Sequence, residues 1–452
     1  MSEILLMTLL IIFSAVFYMF IGFLPGTDET ATIAPIVMAL LLAGIDPLLV
    51  FAWFMGAIAA FETSDSVPVA LMGIPGGVMA VPQVPDAVIA KKNGLADAIL
   101  RKGVVSSVIG TYVAIAVAFS LSYILMPFTD WLGAKDLIFS VGVPRWFWIL
   151  FAGLVVITLS SKNKILAFVV IPSFALLVEG LRGVYGKPVS VSFFLGITIG
   201  PLMLELFSSF MKEYRRGIER EEKLEVKLRP LGNISLNPFK HITREETAYT
   251  TVFSAVSSFL ATVISPVGLT ILFGDMLKAT KKGEVEASVL AYTVRDGIKN
   301  AAYIGGIVIP MIVIGAATGP MSAGPAGPFF LDLGRGMSAS SYLVSNYSVA
   351  HLALVALFAF TVSFIIIYPV LLKYSRKIAL FLFRHVSAEA LYALFIAIVL
   401  LLAYDDAGIA GVFGVLLVSI ISGALVKAGV SLGLLFMILV AAPTITQLLL
   451  AL

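Results

Sequence analysis

Residues 22–30 read Gly22-Phe23-Leu24-Pro25-Gly26-Thr27-Asp28-Glu29-Thr30, and residues 62–77 run Glu62-Thr63-Ser64-Asp65-Ser66 through Val67–Met72 to Gly73-Ile74-Pro75-Gly76-Gly77. Each stretch sets a Pro-Gly break beside a crowd of polar side chains inside otherwise apolar sequence. Pro removes a backbone donor and clashes with the preceding turn, and Gly loosens the chain, so a helix stops at each break. In a bilayer the freed N–H and C=O groups are tolerated only where protein or a watery cavity covers them. Helix ends and loose carbonyls then point into the gap, which is where a transporter binds its solute. The two stretches predict an integral membrane transporter built on broken helices.

Composition agrees with that class. Of 452 residues, 60% are hydrophobic and 13% charged, and the mean hydropathy is +1.05. A soluble domain carries about 25% charged residues. Apolar runs of roughly 17–25 residues recur, the length a helix needs to cross a bilayer. The net charge of +3 comes with Lys and Arg scattered through short loops, so nothing points to nucleic acid. The lack of Cys excludes disulfides and thiolate metal sites. His241, His351 and His385 are too scattered to ligate a metal together, and no cofactor or metal centre is predicted. The start, Met1-Ser2-Glu3-Ile4, lacks the basic region of a signal peptide, so the run 4–23 reads as a retained span. Trp131, Trp146 and Trp148 suit an interfacial aromatic belt.

Apolar runs place spans at 4–23, 31–44, 47–61, 104–127, 145–160, 165–181 and 190–211. A second set follows at 248–264, 267–278, 287–303, 348–372, 388–404, 408–426 and 430–450. The total is about 12–14 spans. Two segments, 67–82 and 304–320, are broken by Gly and Pro and read as re-entrant hairpins. The charged stretch 212–246 reads as a cytoplasmic connector between a first transmembrane repeat, 1–211, and a second, 247–452. The positive-inside rule puts Lys91, Lys92, Arg101, Lys102, Lys162, Lys164, Lys278, Lys281, Lys282, Lys373, Arg376, Lys377 and Lys427 in the cytoplasm with that connector. Alternating the spans across the membrane satisfies them all, with both termini outside. Each half then holds an odd number of spans, so homologous halves must be inserted upside down relative to each other. Spacing supports homology: Pro25 precedes Pro75 by as many residues as separate Pro266 from the Gly315–Gly319 break, to within a few. The predicted fold is an all-α polytopic membrane protein of two inverted-topology repeats, with solute near the midplane where the broken helices meet.

At this point the motifs resemble a known family. Gly22–Gly26, the polar run Glu62–Ser66, Gly73–Gly77 and the basic loop Asp86–Gly94 follow the pattern of TctA, the large membrane subunit of tripartite tricarboxylate transporters. In the second half, Asp296–Ala302 with Gly305, Gly306 and Pro310 resembles the family's acidic-Ala-Ala-Asn-Asn segment, and Gly324–Pro328 its Pro-Gly-Pro ending. The resemblance implies secondary transport of a small organic anion driven by a cation gradient. It also implies a small membrane subunit and an extracytoplasmic solute-binding protein as partners. A place in the cell membrane is expected, and a homo-oligomer is one open form of assembly. The chain departs from the pattern at Asp28, Glu29, Glu62 and Asp65. It lacks a second Leu-Pro-Gly and a second Ile-Pro-Gly, having Ser265–Gly268 and Ala316–Gly319, and it carries Arg295 and Lys299 where neutral residues are expected.

Charges within spans are costly and mark function or mutual pairing. Asp28, Glu29, Glu62, Asp65 and Asp296 are the candidate ion-coupling residues, for Na+ near the helix breaks or for H+. Pro25, Gly26, Thr27, Thr30, Thr63, Ser64, Ser66, Pro75, Gly76, Gly77, Arg295, Lys299 and Asn300 are the candidate substrate-binding residues, with helix N-termini adding partial positive charge for an anion. The competing reading pairs the acids with the bases, and has Ser and Thr satisfy freed backbone groups. The leading function is a cation-coupled carboxylate permease working by alternating access. A zwitterionic amino-acid carrier is the alternative, and a passive channel is less favoured because a pore needs a ring of polar residues from oligomer symmetry. No enzyme is predicted, since no nucleophile stands beside a base.

Overall fold

The computed structural model describes residues 3–24, 27–129, 131, 135–138, 141–185, 190–209, 211, 235–262, 264–333, 336–385 and 388–451. Pro25 and Gly26 of the first break, and residues 212–234 of the charged connector, lie outside them. The first half runs α1 (Glu3–Gly22), α2 (Glu29–Leu42), α3 (Pro47–Ser64), α4 (Ser66–Met72), α5 (Val84–Lys92) and α6 (Ala96–Leu125). A short antiparallel ribbon follows, β1 (Lys135–Ile138) on β2 (Val141–Pro144), then α7 (Trp146–Ser160), α8 (Lys164–Tyr185) and α9 (Ser190–Ser209). The second half runs α10 (Arg244–Leu260), α11 (Pro266–Lys278), α12 (Glu284–Ile309), α13 (Pro320–Ala323), α14 (Ala339–Asn346), α15 (Val349–His385), α16 (Ala388–Lys427) and α17 (Leu432–Leu450). That ribbon apart, the elements are helical, as the apolar periodicity predicts.

Among the described residues, nine helices are long and apolar enough to cross a membrane, and two shorter apolar ones, Glu29–Leu42 and Trp146–Leu159, accompany them. Nine is fewer than the predicted count, because four predicted spans are helices of 17 residues or fewer and two others merge into one. The segments read as hairpins begin by prolonging the preceding helix: Pro47–Met72 is one candidate span of 26 residues, and Glu284–Ile314 one of 31. The chain leaves these helices only at Gly73 (φ 77°) and Gly315 (φ 67°), a backbone region that glycine alone enters without strain. The predicted spans at 31–44, 145–160, 248–264 and 267–278 correspond to helices of 14, 15, 17 and 13 residues, short because caps and prolines bound them. Asp28 caps α2, its Oδ1 accepting from the Ala31 amide at 3.0 Å; a Thr243–Glu246 capping box opens α10, within the predicted connector; Pro266 opens α11. The spans read at 388–404 and 408–426 form α16, broken at Ala407 and Gly408.

Both central helices end alike. After Gly73 the chain bends without helix to Gly77, which is extended (φ −126°, ψ 175°), and then starts a tight turn over Val78–Gln83. After Gly315 it bends likewise to Gly319, also extended (φ −138°, ψ 172°), and starts α13. Helix association in lipid relies on close backbone contact rather than on a hydrophobic force. The α6–α12 seam is built that way. A Cβ on Gly110 would lie 2.7 Å from the Gly297 carbonyl carbon, and the Ser106 and Thr250 hydroxyls share a hydrogen bond of 2.9 Å beside it. Gly110→Leu is therefore expected to wedge the two halves apart and remove most monodisperse protein in detergent size-exclusion chromatography, while Gly180→Ala, in α8 with open space at the Cβ, retains it.

The basic loops assigned to one side of the membrane meet in space. Lys102 pairs with Glu246 at 2.5 Å, Arg376 with Asp97, and Lys281 with Glu245 at 2.9 Å and Glu286 at 3.1 Å. Hydrogen bonding to Glu245 and then Glu286 raises the Lys281 ammonium above its ordinary range. The pairs join the start of α6 to α10 and α15, and the loop before α12 to α10 and the α12 start, so both halves share one charged end.

Candidate functional site

Glu62 and Asp65 stand three apart on one face of the α3 end. Glu29, in the first turn of α2, faces them, a favourable place for a carboxylate beside a helix N-terminus. Glu29, Glu62 and Asp65 each offer a carboxylate oxygen, and the three oxygens lie within 4.8 Å of one another. The residues are 4%, 1% and 0% exposed. Glu29 Oε1, both Glu62 oxygens and Asp65 Oδ2 meet no hydrogen-bond donor, and neither does the buried Tyr303 hydroxyl. Uncompensated carboxylates buried together are strongly unfavourable unless a proton or a metal cation joins them. An oxygen-only donor set of this kind fits a hard cation such as Na+. Gly77 closes the space: a Cβ there would lie 2.7 Å from Glu29 Oε1 and 3.4 Å from Asp65 Oδ2. Gly76 lets the break lie on α3, since its Cβ would lie 2.8 Å from Asp65 Cα.

Lys299 of α12 approaches from the other half. Its ammonium contacts Asp65 Oδ1, donates to Ser66 Oγ at 3.0 Å and lies 3.1 Å from Asp296 Oδ1. Ser66 Oγ donates to Asp296 Oδ1 at 2.6 Å, and the Tyr292 hydroxyl donates to the Ser66 carbonyl at 3.1 Å. Asn300 donates to Thr111 Oγ1 at 3.2 Å, and to Thr63 Oγ1 and the Ser107 carbonyl at 3.4 Å. The order of these pairs, Ser66 against Tyr292 and Asp296 but Thr63 against Asn300, means that the α3–α4 rod and α12 run antiparallel.

Arg295, one turn before Lys299, goes elsewhere. It donates to the Thr270 carbonyl at 3.1 Å and the Pro82 carbonyl at 2.9 Å, and it pairs with Asp86 and, at 2.5 Å, with Asp275. Lys278 reaches Asp86 as well, at 2.5 Å. This clamp ties α5 to α11 and α12, and it spends four of the five Arg295 N–H donors on protein acceptors. Thr27 and Ser64 spend their hydroxyls on backbone: Thr27 donates to the Leu24 carbonyl at 2.9 Å, and Ser64 to the Ala60 carbonyl at 2.7 Å. Pro25 and Gly26 lie outside the described residues.

A cavity of about 440 Å³ opens beside the acidic centre. Asp28, Glu29 and Thr30 line it from α2, Val78 from beyond the second break, Ser265 from the α11 start, and Ser431 with Gly433 from the α17 start; Lys162 and Thr198 complete its polar wall. Three helices of 14, 13 and 19 residues thus begin at its edge. Ser265 and Ser431 hold the N-cap positions of α11 and α17, yet neither hydroxyl makes a capping bond. Of the predicted binding residues that are described, only Thr30 lines this cavity. Thr63, Ser64, Ser66, Pro75, Gly76, Gly77, Arg295, Lys299 and Asn300 do not, and of the predicted coupling residues Asp28 and Glu29 do. Ser265 was legible as an N-cap before a Pro, whereas Ser431, Lys162 and Tyr303 had no sequence signal.

The family model described as Tripartite tricarboxylate transporter TctA family matches residues 8–437. The chain belongs to the TctA family. It is a multi-pass membrane protein and a component of a tripartite tricarboxylate transporter. Comparison with curated proteins and with solved structures returned no match.

Proposed function

We propose that this TctA protein is the permease of a cell-membrane carboxylate transporter, driven by Na+ or H+, and that it works with a small membrane subunit and an extracytoplasmic binding protein. One observation carries the reading: Glu29 lies both on the wall of the 440 Å³ cavity and in the three-carboxylate centre. A cation arriving at Glu29, Glu62 and Asp65 changes the charge that faces a bound solute, which is the differential interaction coupling requires. The solute's carboxylates sit at the α11 and α17 N-termini, where first-turn amides, the Ser265 and Ser431 hydroxyls and the helix dipoles favour negative charge. The antiparallel α3–α4 rod and α12, with their matching breaks at Gly73–Gly77 and Gly315–Gly319, support inverted halves that exchange access by rocking.

A second reading rests on Asp28 and Glu29 at the same wall, which offer a place for a substrate ammonium and suit a zwitterionic amino acid. Uptake of labelled citrate, succinate and glutamate into proteoliposomes, with and without Na+ or pH gradients and with the binding protein added, tests both. Gradient-driven accumulation of a di- or tricarboxylate is the expected result; accumulation of glutamate alone selects the second reading. Absence of accumulation of any of them with all partners present overturns the proposal. Ser265→Ala and Ser431→Ala are each expected to raise KM about tenfold or more, the loss of one hydrogen bond to a charged group, with kcat little changed.

A further inference from the structure

The group around the Lys299 ammonium has the composition of a cation site. Three oxygens surround Nζ: Asp65 Oδ1, Ser66 Oγ at 3.0 Å and Asp296 Oδ1 at 3.1 Å. An ammonium has three N–H donors and no acceptor, so the three oxygens saturate it. Asp65, Ser66, Asp296 and Lys299 are all closed off from solvent, at 0% exposure. The oxygens come from both halves, Asp65 and Ser66 from the α3–α4 junction and Asp296 from α12. Two further buried oxygens, Asp65 Oδ2 and Asp296 Oδ2, border the same group and accept no hydrogen bond. Two carboxylates and a hydroxyl, with spare oxygens beside them, are the donor set that suits a hard monovalent cation. Lys299 delivers that charge on a tether rooted one turn past Arg295.

We propose that Asp65, Ser66 and Asp296 form a monovalent-cation site that this chain fills with its own Lys299 ammonium. Removing the ammonium then turns the cage into a site for Na+ or a small alkylammonium ion. A buried pair of carboxylates left without any cation is strongly destabilising, so an empty cage has to take up a proton or a cation, and the spare oxygens beside it favour the cation. The consequence for transport rests on the permease reading above: the wild-type chain carries a fixed positive charge at this position, and a variant without it acquires a dependence on dissolved cation.

The test is made on purified full-length protein in detergent, comparing choline, sodium and methylammonium chloride at equal ionic strength. Lys299→Ala is expected to melt below wild type in choline and to recover in NaCl or methylammonium chloride. It is also expected to bind 22Na+ about tenfold or more tightly than wild type does, since a ligand that binds only the folded state stabilises it by mass action. Lys299→Ala/Asp296→Asn, which lacks one cage carboxylate as well, is expected to lose that recovery. If Lys299→Ala can be purified only with sodium or methylammonium present, that requirement is itself the expected result. Equal instability in all three salts, recovery in none of them, or the same rescue of the double variant overturns the proposal. In proteoliposomes Lys299→Ala should show a Na+ requirement for uptake beyond that of wild type. Cation-dependent stability without uptake by any form of the protein would count against the permease reading and leave the cage intact.

Discussion

Glu62→Gln is expected to lower gradient-driven uptake on the order of 100-fold, toward the upper end of the coupling free energies that link two sites. The folded protein should melt at or above the wild-type temperature. Both halves of that expectation come from the same facts. Neither Glu62 oxygen accepts a hydrogen bond, so no donor loses a partner when the carboxylate becomes an amide. Burying an uncompensated carboxylate is unfavourable, so its neutral isostere relieves the fold. The lost carboxylate, however, is one of three whose oxygens meet within 4.8 Å, and the coupling cation proposed for them would be bound more weakly. Uptake in proteoliposomes and thermal unfolding of the same preparation decide the matter. Wild-type uptake in Glu62→Gln would remove Glu62 from the coupling centre; reduced uptake with a collapsed melting temperature would make it a structural group. Asp65→Asn behaves differently, because Asp65 Oδ1 holds Lys299, and it is expected to lower stability along with uptake.

Arg295→Met is expected to produce the largest loss of stability, about 3–5 kcal/mol, the range seen when one partner of a buried ion pair is removed. Arg295 is 3% exposed and Asp86 is fully buried, and the guanidinium also carries the Pro82 and Thr270 carbonyls. Lys278 remains on Asp86 but cannot replace the planar fork that reaches four acceptors at once. Arg295→Lys should therefore recover only part of the loss. Denaturant unfolding of the two variants gives the comparison, and a loss under 1 kcal/mol for Arg295→Met would show that the clamp contributes little.

Arg295 and Lys299 also show where reading along the chain stops. In the sequence they are two cations four apart in one span, and both fit a solute anion. In the fold, the clamp partners of Arg295 are Asp86 and Asp275, and those of Lys299 are Asp65, Ser66 and Asp296. Side chains one turn apart along α12 meet different neighbours, and the neighbours lie more than 200 residues away in the chain for the Asp65 and Asp86 contacts. No local pattern carries that information. The cavity is a similar case: Ser265, Ser431 and Lys162 reach it from separate elements. The second break was legible despite the missing Ile-Pro-Gly, since Gly315 and Gly319 reproduce it without a proline between them.

The membrane class, the helical architecture and the polar breaks were determined by the sequence itself. They depend on local quantities: the length of apolar runs, the helix-stopping action of Pro and Gly, and the expense of charge among apolar residues. The tertiary structure alone decided which charges pair, which carboxylates are left without donors, and which helix ends open onto a common cavity. Those are properties of contacts between the two halves, and a contact depends on where packing places a residue rather than on its sequence neighbours.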